Sequence, residues 1–281
     1  MIPLKDENPT LITPWLTYAV IALNVVVYFL VQTGGSELGV AKTNFRYSTI
    51  PYNVTHGADK GVAGFVTFDS SELEQFAHGP LRVQVLKVSD QSRAKEELGA
   101  SDVVVQSIPW WATLITSMFM HGSVMHLLGN MLFLYVFSNN IEEAIGRFRF
   151  VVFYLVTGLI ASLGHIFSDP DSMIPTLGAS GAVSGILGGY LLLYPRARIL
   201  SLIPLPFIWT TVYLPAAVFL VIWLGMQISG VLQSGGGVAW WAHIGGFLGG
   251  LALIKMMEST EHRERRERLQ VTRQSAVWNR K

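Results

Sequence analysis

Three short patterns place polar side chains capable of chemistry within or beside long apolar stretches of the sequence. Ser180 follows a Gly-Ala pair and precedes another glycine, and His243 stands in a Trp-Ala-His-Ile-Gly-Gly run. The third pattern holds His121, His126 and Asn130, and the last two are four residues apart, so they share one face of a helix. A serine hydroxyl is a weak nucleophile at neutral pH unless a base such as histidine takes its proton. These residue types fit nucleophilic catalysis if the fold brings them together.

Each pattern also has a purely structural interpretation. Ser180 could cap the start of a helix among packing glycines, and His243 could be a buried histidine bonded to a backbone carbonyl. His126 and Asn130 could form hydrogen bonds between helices. A metal site at His121 and His126 is disfavoured, because no carboxylate lies within several residues and a spacing of five puts them on different helix faces. The sequence contains no cysteine, which excludes a thiol nucleophile, thiolate metal sites and disulfides.

The apolar stretches that must position these residues are long enough to cross a lipid bilayer. The chain has 281 residues, of which 51% are hydrophobic and 14% charged, whereas an ordinary soluble domain has about 25% charged residues. A membrane-spanning helix needs roughly 20 mostly apolar residues. Such stretches occur at 15–33, 111–138, 150–167, 177–194, 213–232 and 239–257. The sequence therefore predicts a multi-pass membrane protein with six spans, in which polar groups at membrane depth are functional candidates.

Arginines in the short loops predict the orientation of these spans. The loops after the second and fourth spans and the tail after the sixth carry arginine, namely Arg147, Arg149, Arg196, Arg198, Arg263, Arg265, Arg266 and Arg268. The short loops at 168–176 and 233–238 carry neither lysine nor arginine. Because basic loops stay on the cytoplasmic side, both termini are predicted to be cytoplasmic.

We divide the chain into four parts. Residues 1–33 hold the N-terminus and the first span, 34–107 form an extracytoplasmic insert, 108–257 hold spans two to six, and 258–281 form a charged cytoplasmic tail. Apolar and polar residues alternate at 81–88, which predicts a short strand in the insert. Glutamate and arginine interleave in the tail, as is typical of a solvated helix.

In combination, the patterns resemble the rhomboid family of intramembrane serine proteases in their order and spacing. The matching residues are Gly178, Ser180 and Gly181 at the start of span four, Ala242, His243 and Gly246 in span six, and His121, His126 and Asn130 entering span two. The family's Glu-x-x-x-Gly element is present from Glu142 to Gly146. The resemblance covers 110–257 and the first span. It implies an all-α, six-helix membrane bundle of the bacterial type. The small insert at 34–107 makes the first outer loop much longer than the family's usual form.

The resemblance also implies a role for each residue. Ser180 would be the nucleophile, and His243 would be the general base and then the acid for the leaving amine. The backbone N–H groups of Ser180 and Ala179, with the side chains of His126 and Asn130, would stabilise the oxyanion. Further residues would complete the motifs: His121, Gly178, Gly181 and Gly246. The implied partners are transmembrane protein substrates and the lipid bilayer, and neither a metal, a cofactor nor a nucleic acid is expected.

The sequence departs from the family's usual pattern at the residues that orient the histidine. Many rhomboids carry an aromatic residue one turn after the serine, and here that residue is Ser184. Neither span four nor span six contains an acid, so the expected site is a dyad. Small residues, including Gly246 and Gly250, let helix backbones approach closely, and we expect that packing to hold the imidazole. The Trp-Arg pair that many members carry in the first outer loop is absent.

The main prediction is an endopeptidase of the bacterial plasma membrane that cuts transmembrane substrates near the outer face. One alternative is an inactive relative that binds membrane segments without cleaving them. Another is a transporter or channel, but that class usually shows half-helix symmetry between repeats, which this sequence lacks.

Overall fold

The computed structural model describes residues 1–33, 37–56, 62–66, 83–87, 103–105, 108–205, 208–233, 238–261, 263–264 and 266–268. The helices in these residues are α1 (Trp15–Val26), α2 (Glu37–Tyr47), α3 (Pro51–His56), α4 (Trp110–Thr116), α5 (Val124–Ile145), α6 (Arg147–Ser168), α7 (Ser180–Leu193), α8 (Ala216–Leu232) and α9 (Trp240–Met257). A π-helical segment, Val27–Gln32, continues α1, and a 3₁₀ turn, Ser117–Phe119, continues α4. The strands are β1 (Ile2–Asp6), β2 (Val62–Val66), β3 (Val83–Lys87), β4 (Val103–Val105), β5 (Arg198–Leu205) and β6 (Ile208–Pro215).

The mainly helical architecture is confirmed, whereas the count of six spans is not. By length and composition, two helices in the described residues could cross a membrane, Trp15–Gln32 and Arg147–Ser168. A third candidate is the pair Trp110–Phe119 and Val124–Ile145, which is bent by 79°. Helices α7 and α8 are apolar but shorter, with 14 and 17 residues.

The second predicted span, 111–138, is interrupted and is not one continuous helix. The chain leaves the helix between Phe119 and Val124. The backbone of His121 in this break is bonded to Gln32, whose amide donates to the His121 carbonyl oxygen (2.8 Å) and accepts from the His121 N–H (2.8 Å). Irregular backbone at membrane depth requires such a partner inside the protein. The break at His121 is therefore stabilised by a side chain from the end of the first helix.

The described chain forms two compact units, and the first comprises 1–21, 129–161 and 180–281. Within it, α7 and α9 pack backbone against backbone. A Cβ atom added to Gly250 would collide with the carbonyl oxygen of Gly185, and one added to Gly246 would collide with that of Gly181. The close approach expected from the small residues is confirmed at these positions.

The first unit also contains a three-stranded sheet in the order β1-β5-β6, which the sequence did not predict. Strands β5 and β6 form an antiparallel hairpin, and β1 pairs antiparallel with β5 so that Ile2 lies opposite Leu202. The Asp6 carboxylate at the end of β1 is buried and accepts hydrogen bonds from Asn140 and Tyr190, both at 2.7 Å. The apolar stretch that begins at 213 is consequently part strand, and α8 starts only after Pro215.

A buried carboxylate fixes the start of α1 in the same unit. Glu142 lies on α5 and is fully buried. It accepts hydrogen bonds from the backbone N–H groups of Leu16 (3.2 Å) and Thr17 (2.8 Å), and from the Thr17 hydroxyl (2.9 Å). The first N–H groups of a helix have no partner within the helix, so Glu142 satisfies them from a distant part of the chain.

The second unit comprises 22–128 and 162–179. Here Phe45, Ile50 and Tyr52 form a buried apolar cluster, with Met173 packed against it. Thr49 forms an antiparallel bridge with Thr176, with N–H to oxygen distances of 3.0 and 2.7 Å. The beginning of the predicted insert is thus packed against the loop that precedes α7.

The strand predicted within the insert is confirmed as β3. It pairs with β2, which pairs in turn with β4, in an antiparallel sheet of order β3-β2-β4. The ends of the predicted strand, Leu81, Arg82 and Val88, lie outside the described residues. Strands β2 and β4 were not predicted, because each is a short apolar run without clear alternation.

Candidate active site

Ser180 and His243 lie within hydrogen-bond distance of each other in the first unit. Ser180 is the first residue of α7, and His243 lies in the first turn of α9. The Ser180 Oγ and the His243 Nε2 are 2.8 Å apart, and both residues are half-buried. An imidazole at this distance can take the hydroxyl proton directly.

The turn before Ser180 depends on Gly178. Its φ is 132°, a conformation that favours glycine, and its N–H donates to the carbonyl oxygen of Ser117 at 2.8 Å. Ala179, the next residue, is fully buried. Since Ser180 opens a helix, the N–H groups of the first turn lack partners within that helix, and the helix dipole favours negative charge there.

The other ring nitrogen of His243 contacts Gln227, a residue that the sequence reasoning missed. The Nδ1 atom lies 2.8 Å from the Gln227 Oε1, while the Gln227 Nε2 donates to the Trp223 carbonyl oxygen at 3.0 Å. Gln227 lies on α8 and is buried. The sequence feature that could have identified Gln227 is its polar amide side chain inside a stretch predicted to span the membrane. Gln227 therefore adds a hydrogen bond to the packing that was expected to hold the imidazole.

Aromatic contacts to His243 come from α8 and α9. The ring of Trp223 lies 6.1 Å from the imidazole, tilted by 37°, and the ring of Trp240 lies 6.1 Å away at 89°. Ser184 is fully buried, and its hydroxyl donates to the Ser180 carbonyl oxygen at 2.6 Å. Trp223 and Trp240 thus supply aromatic contacts to the ring of His243.

His126 and Asn130 both lie on α5, one helical turn apart. In the second unit, the His126 Nδ1 accepts from the Gly122 N–H at 3.3 Å, and the His126 ring lies 5.2 Å from that of His121, which is buried. Asn130 belongs to the first unit and is buried. Their roles at an oxyanion stay predictions.

The remaining motif glycines line the contact between the two helices that carry the pair. A Cβ atom on Gly181 would lie 2.6 Å from that of Ala161 on α6, and Gly246 faces the Gly181 carbonyl. Neither α7 nor α9 contains an acidic residue. The site is thus a serine–histidine pair with an amide, rather than a carboxylate, behind the imidazole. Such a pair can support nucleophilic attack on a carbonyl carbon.

Comparison with known proteins identifies relatives of this chain. The model of the Rhomboid domain matches residues 109–259. RHOMBOID-like protein 6, mitochondrial, of Arabidopsis thaliana is 29% identical over 189 residues, which cover 66% of this chain and 54% of that protein. Presenilin-associated rhomboid-like protein A, mitochondrial, of Danio rerio is 34% identical over 97 residues, 34% of this chain and 25% of that protein.

A bacterial relative carries the word protease in its name. Rhomboid protease GluP of Bacillus subtilis is 31% identical over 143 residues, which cover 50% of this chain and 25% of that protein. The chain therefore spans about half of the plant relative's length and about a quarter of the length of the fish and bacterial relatives.

Proposed function

Because this chain belongs to the rhomboid family, we propose that it is an intramembrane serine endopeptidase that cuts peptide bonds in or near transmembrane segments. The family acts on transmembrane protein substrates within the membrane. The observation that carries the proposal is the 2.8 Å distance between the Ser180 Oγ and the His243 Nε2.

The proposed reaction begins when the Ser180 Oγ attacks the scissile carbonyl carbon and His243 accepts the hydroxyl proton. His243 then returns that proton to the leaving amine as the acyl-enzyme forms. A water molecule, deprotonated by the same imidazole, hydrolyses the ester. The developing oxyanion would be stabilised by the backbone N–H groups of Ser180 and Ala179, with help from His126 and Asn130.

We place the protein in a bacterial plasma membrane, with both termini in the cytoplasm and the active site open to the outer face. The arginines of the short loops support this orientation. Since the sequence contains no cysteine, single cysteines introduced after Asp169 and after Arg196 would report the two sides separately. A membrane-impermeant thiol reagent applied to intact cells should label the first site and spare the second, and the reverse pattern would overturn the orientation.

The first prediction tests the dyad. Ser180→Ala and His243→Ala should each abolish cleavage of a model transmembrane substrate while the protein remains folded. The double variant should be scarcely worse than either single variant, because the two residues act as a unit. Cleavage of reconstituted substrate, measured beside labelling of Ser180 by a fluorophosphonate-type probe, gives both readouts.

Robust cleavage by folded Ser180→Ala protein would overturn the assignment. A wild-type protein that captures a transmembrane segment, without either cleaving it or reacting with the probe, would instead be the inactive binding relative.

A further inference from the structure

We propose that Gln227 is a positioning residue that selects the tautomer of His243 and thereby makes its Nε2 atom the base for Ser180. This inference rests on the proposed function for its catalytic consequence, whereas the hydrogen-bond geometry behind it is independent of that function.

The direction of the Gln227 amide follows from its two contacts. The Trp223 carbonyl oxygen can only accept a hydrogen bond, so the Gln227 Nε2 must face it, at 3.0 Å. That choice turns the Gln227 Oε1 towards the His243 Nδ1, at 2.8 Å. An amide oxygen also can only accept. The proton of the neutral imidazole is therefore on Nδ1.

The consequence for the other nitrogen is direct. A neutral imidazole carries one N–H, so the Nε2 of His243 has a free lone pair. This lone pair faces the Ser180 Oγ at 2.8 Å, and the hydroxyl is then the donor. The opposite tautomer would point an N–H at the hydroxyl and could not accept its proton. In serine proteases with a triad, a carboxylate makes this selection.

The structure holds the selecting oxygen in place. Gln227 is 5% exposed, and its amide is bonded to Trp223, one turn earlier in α8. The rings of Trp223 and Trp240 each lie 6.1 Å from the imidazole. A neutral amide is also cheaper to bury than a carboxylate, which suits a site without a compensating cation on α7 or α9 near the ring.

Three substitutions separate positioning from packing. Gln227→Met keeps the side-chain length but lacks a strong acceptor, and Gln227→Asn keeps the amide but is one methylene shorter. Gln227→Glu presents an oxygen acceptor in either protonation state. We expect Gln227→Met and Gln227→Asn to lower kcat roughly 10- to 100-fold with KM little changed. This loss is a part of the ~100- to 10,000-fold rate enhancement that a general base supplies. Gln227→Glu should retain most of the activity.

A packing role predicts the opposite order, because methionine fills the same volume and glutamate adds a buried acid. Gln233→Met is the matched control: Gln233 lies just after α8, is exposed, and donates to the Ser229 hydroxyl. It should keep wild-type kcat. Retained activity in Gln227→Met together with loss in Gln227→Glu would overturn the proposal.

A second readout does not depend on catalysis. In protein with nitrogen-15-labelled histidine, the ring nitrogen shifts distinguish the two tautomers, and the His243 signals are those missing from His243→Ala. We expect the Nδ1–H form in the wild type and in Gln227→Glu, and a mixture of tautomers in Gln227→Met. An Nε2–H form in the wild type, or unchanged spectra in Gln227→Met, would overturn the inference. If the wild type neither cleaves substrate nor reacts with the probe, the proposed function fails while these spectra still decide the tautomer.

Discussion

The hydroxyl of Ser184 donates to the carbonyl oxygen of Ser180, one turn back in its own helix. The aromatic contacts of the imidazole come from Trp223 on α8 and Trp240 on α9. Since Ser184 is fully buried, a large aromatic side chain at this position would overfill the contact between helices. Trp223 and Trp240 therefore give His243 an aromatic environment without an aromatic side chain at position 184.

Asn130 gives a prediction at the scale of one residue. If its amide stabilises the oxyanion, Asn130→Ala should lower turnover by roughly 100- to 1,000-fold, the usual cost of one such donor. The nucleophile and base remain, so slow labelling of Ser180 by a fluorophosphonate-type probe should persist. Steady-state cleavage and probe labelling on the same preparation check this, with Ser180→Ala as the unlabelled control.

Wild-type turnover in Asn130→Ala would instead show that Asn130 only packs within the bundle, as its burial would also allow.

Ser180 and His243 were identifiable from the sequence because each stands in a short pattern with a characteristic chemistry. Gln227 has no such pattern. Its partner His243 is 16 residues away, on the next helix, and only the packing of α8 against α9 brings the two together. The sequence showed that something must orient the imidazole, but the identity of that group depends on how two helices face each other.

At the scale of elements, the contact between α7 and α9 determines the distance between the serine and the histidine. Gly250 faces the carbonyl oxygen of Gly185, and Gly246 faces that of Gly181. Backbone atoms cannot move aside as a flexible side chain can. Any side chain at either glycine therefore separates the helices and moves His243 relative to Ser180.

We expect Gly250→Ala to lower kcat about 100-fold, since a shift of roughly 1 Å at a catalytic group has that effect. It should also destabilise the protein by about 1–3 kcal/mol, the usual cost of overpacking. The control is Gly225→Ala on α8, where an added Cβ meets no atom within 4 Å. Cleavage and thermal unfolding of both variants test the prediction, and wild-type activity in folded Gly250→Ala would contradict it.

Hydropathy located most of these elements but misread two. The sixth apolar stretch was predicted from 239, and α9 begins at Trp240. An average over about 20 residues does not register four non-helical ones, so the break at His121 was missed. The last residues of β6, from Tyr213 to Pro215, were counted as the start of a span because tyrosine and leucine score as apolar in either conformation. Pairing with β5, which averaging cannot detect, decided the outcome.

At the scale of the whole molecule, composition set the boundary of the insert at 34, where the polar residues begin. Packing divides that segment differently. Residues 37–56 contribute α2, α3 and a buried cluster that contacts Met173, and Thr49 pairs with Thr176 in the loop before the serine helix. The boundary of the insert therefore depends on contacts between residues that are more than 100 positions apart in the sequence.

A pair of deletions tests this division. Replacing 57–101 with a short flexible linker should preserve probe labelling of Ser180. Extending the deletion back to Thr43 removes Phe45, Ile50 and Tyr52, and should reduce stability by several kcal/mol, because each large buried side chain contributes about 3–5 kcal/mol. Labelling and thermal unfolding are measured on both proteins.

Equal stability of the two deletion proteins would mean that residues 43–56 are dispensable. Loss of labelling in the shorter deletion, with folding intact, would mean that 57–101 help to build the site.

Strand β1 cannot pair during synthesis until its partner strand β5 has been made. Ile2 leaves the ribosome before its partner Leu202, which is made 200 residues later. At about 5–20 residues per second, this delay lasts roughly 10–40 seconds. During that interval β1 is an unpaired strand, open to association with other chains. While β1 is unpaired, Lys5 and Asp6 give it two charges. Asp6 can form its buried hydrogen bonds with Asn140 and Tyr190 only after those residues have been made.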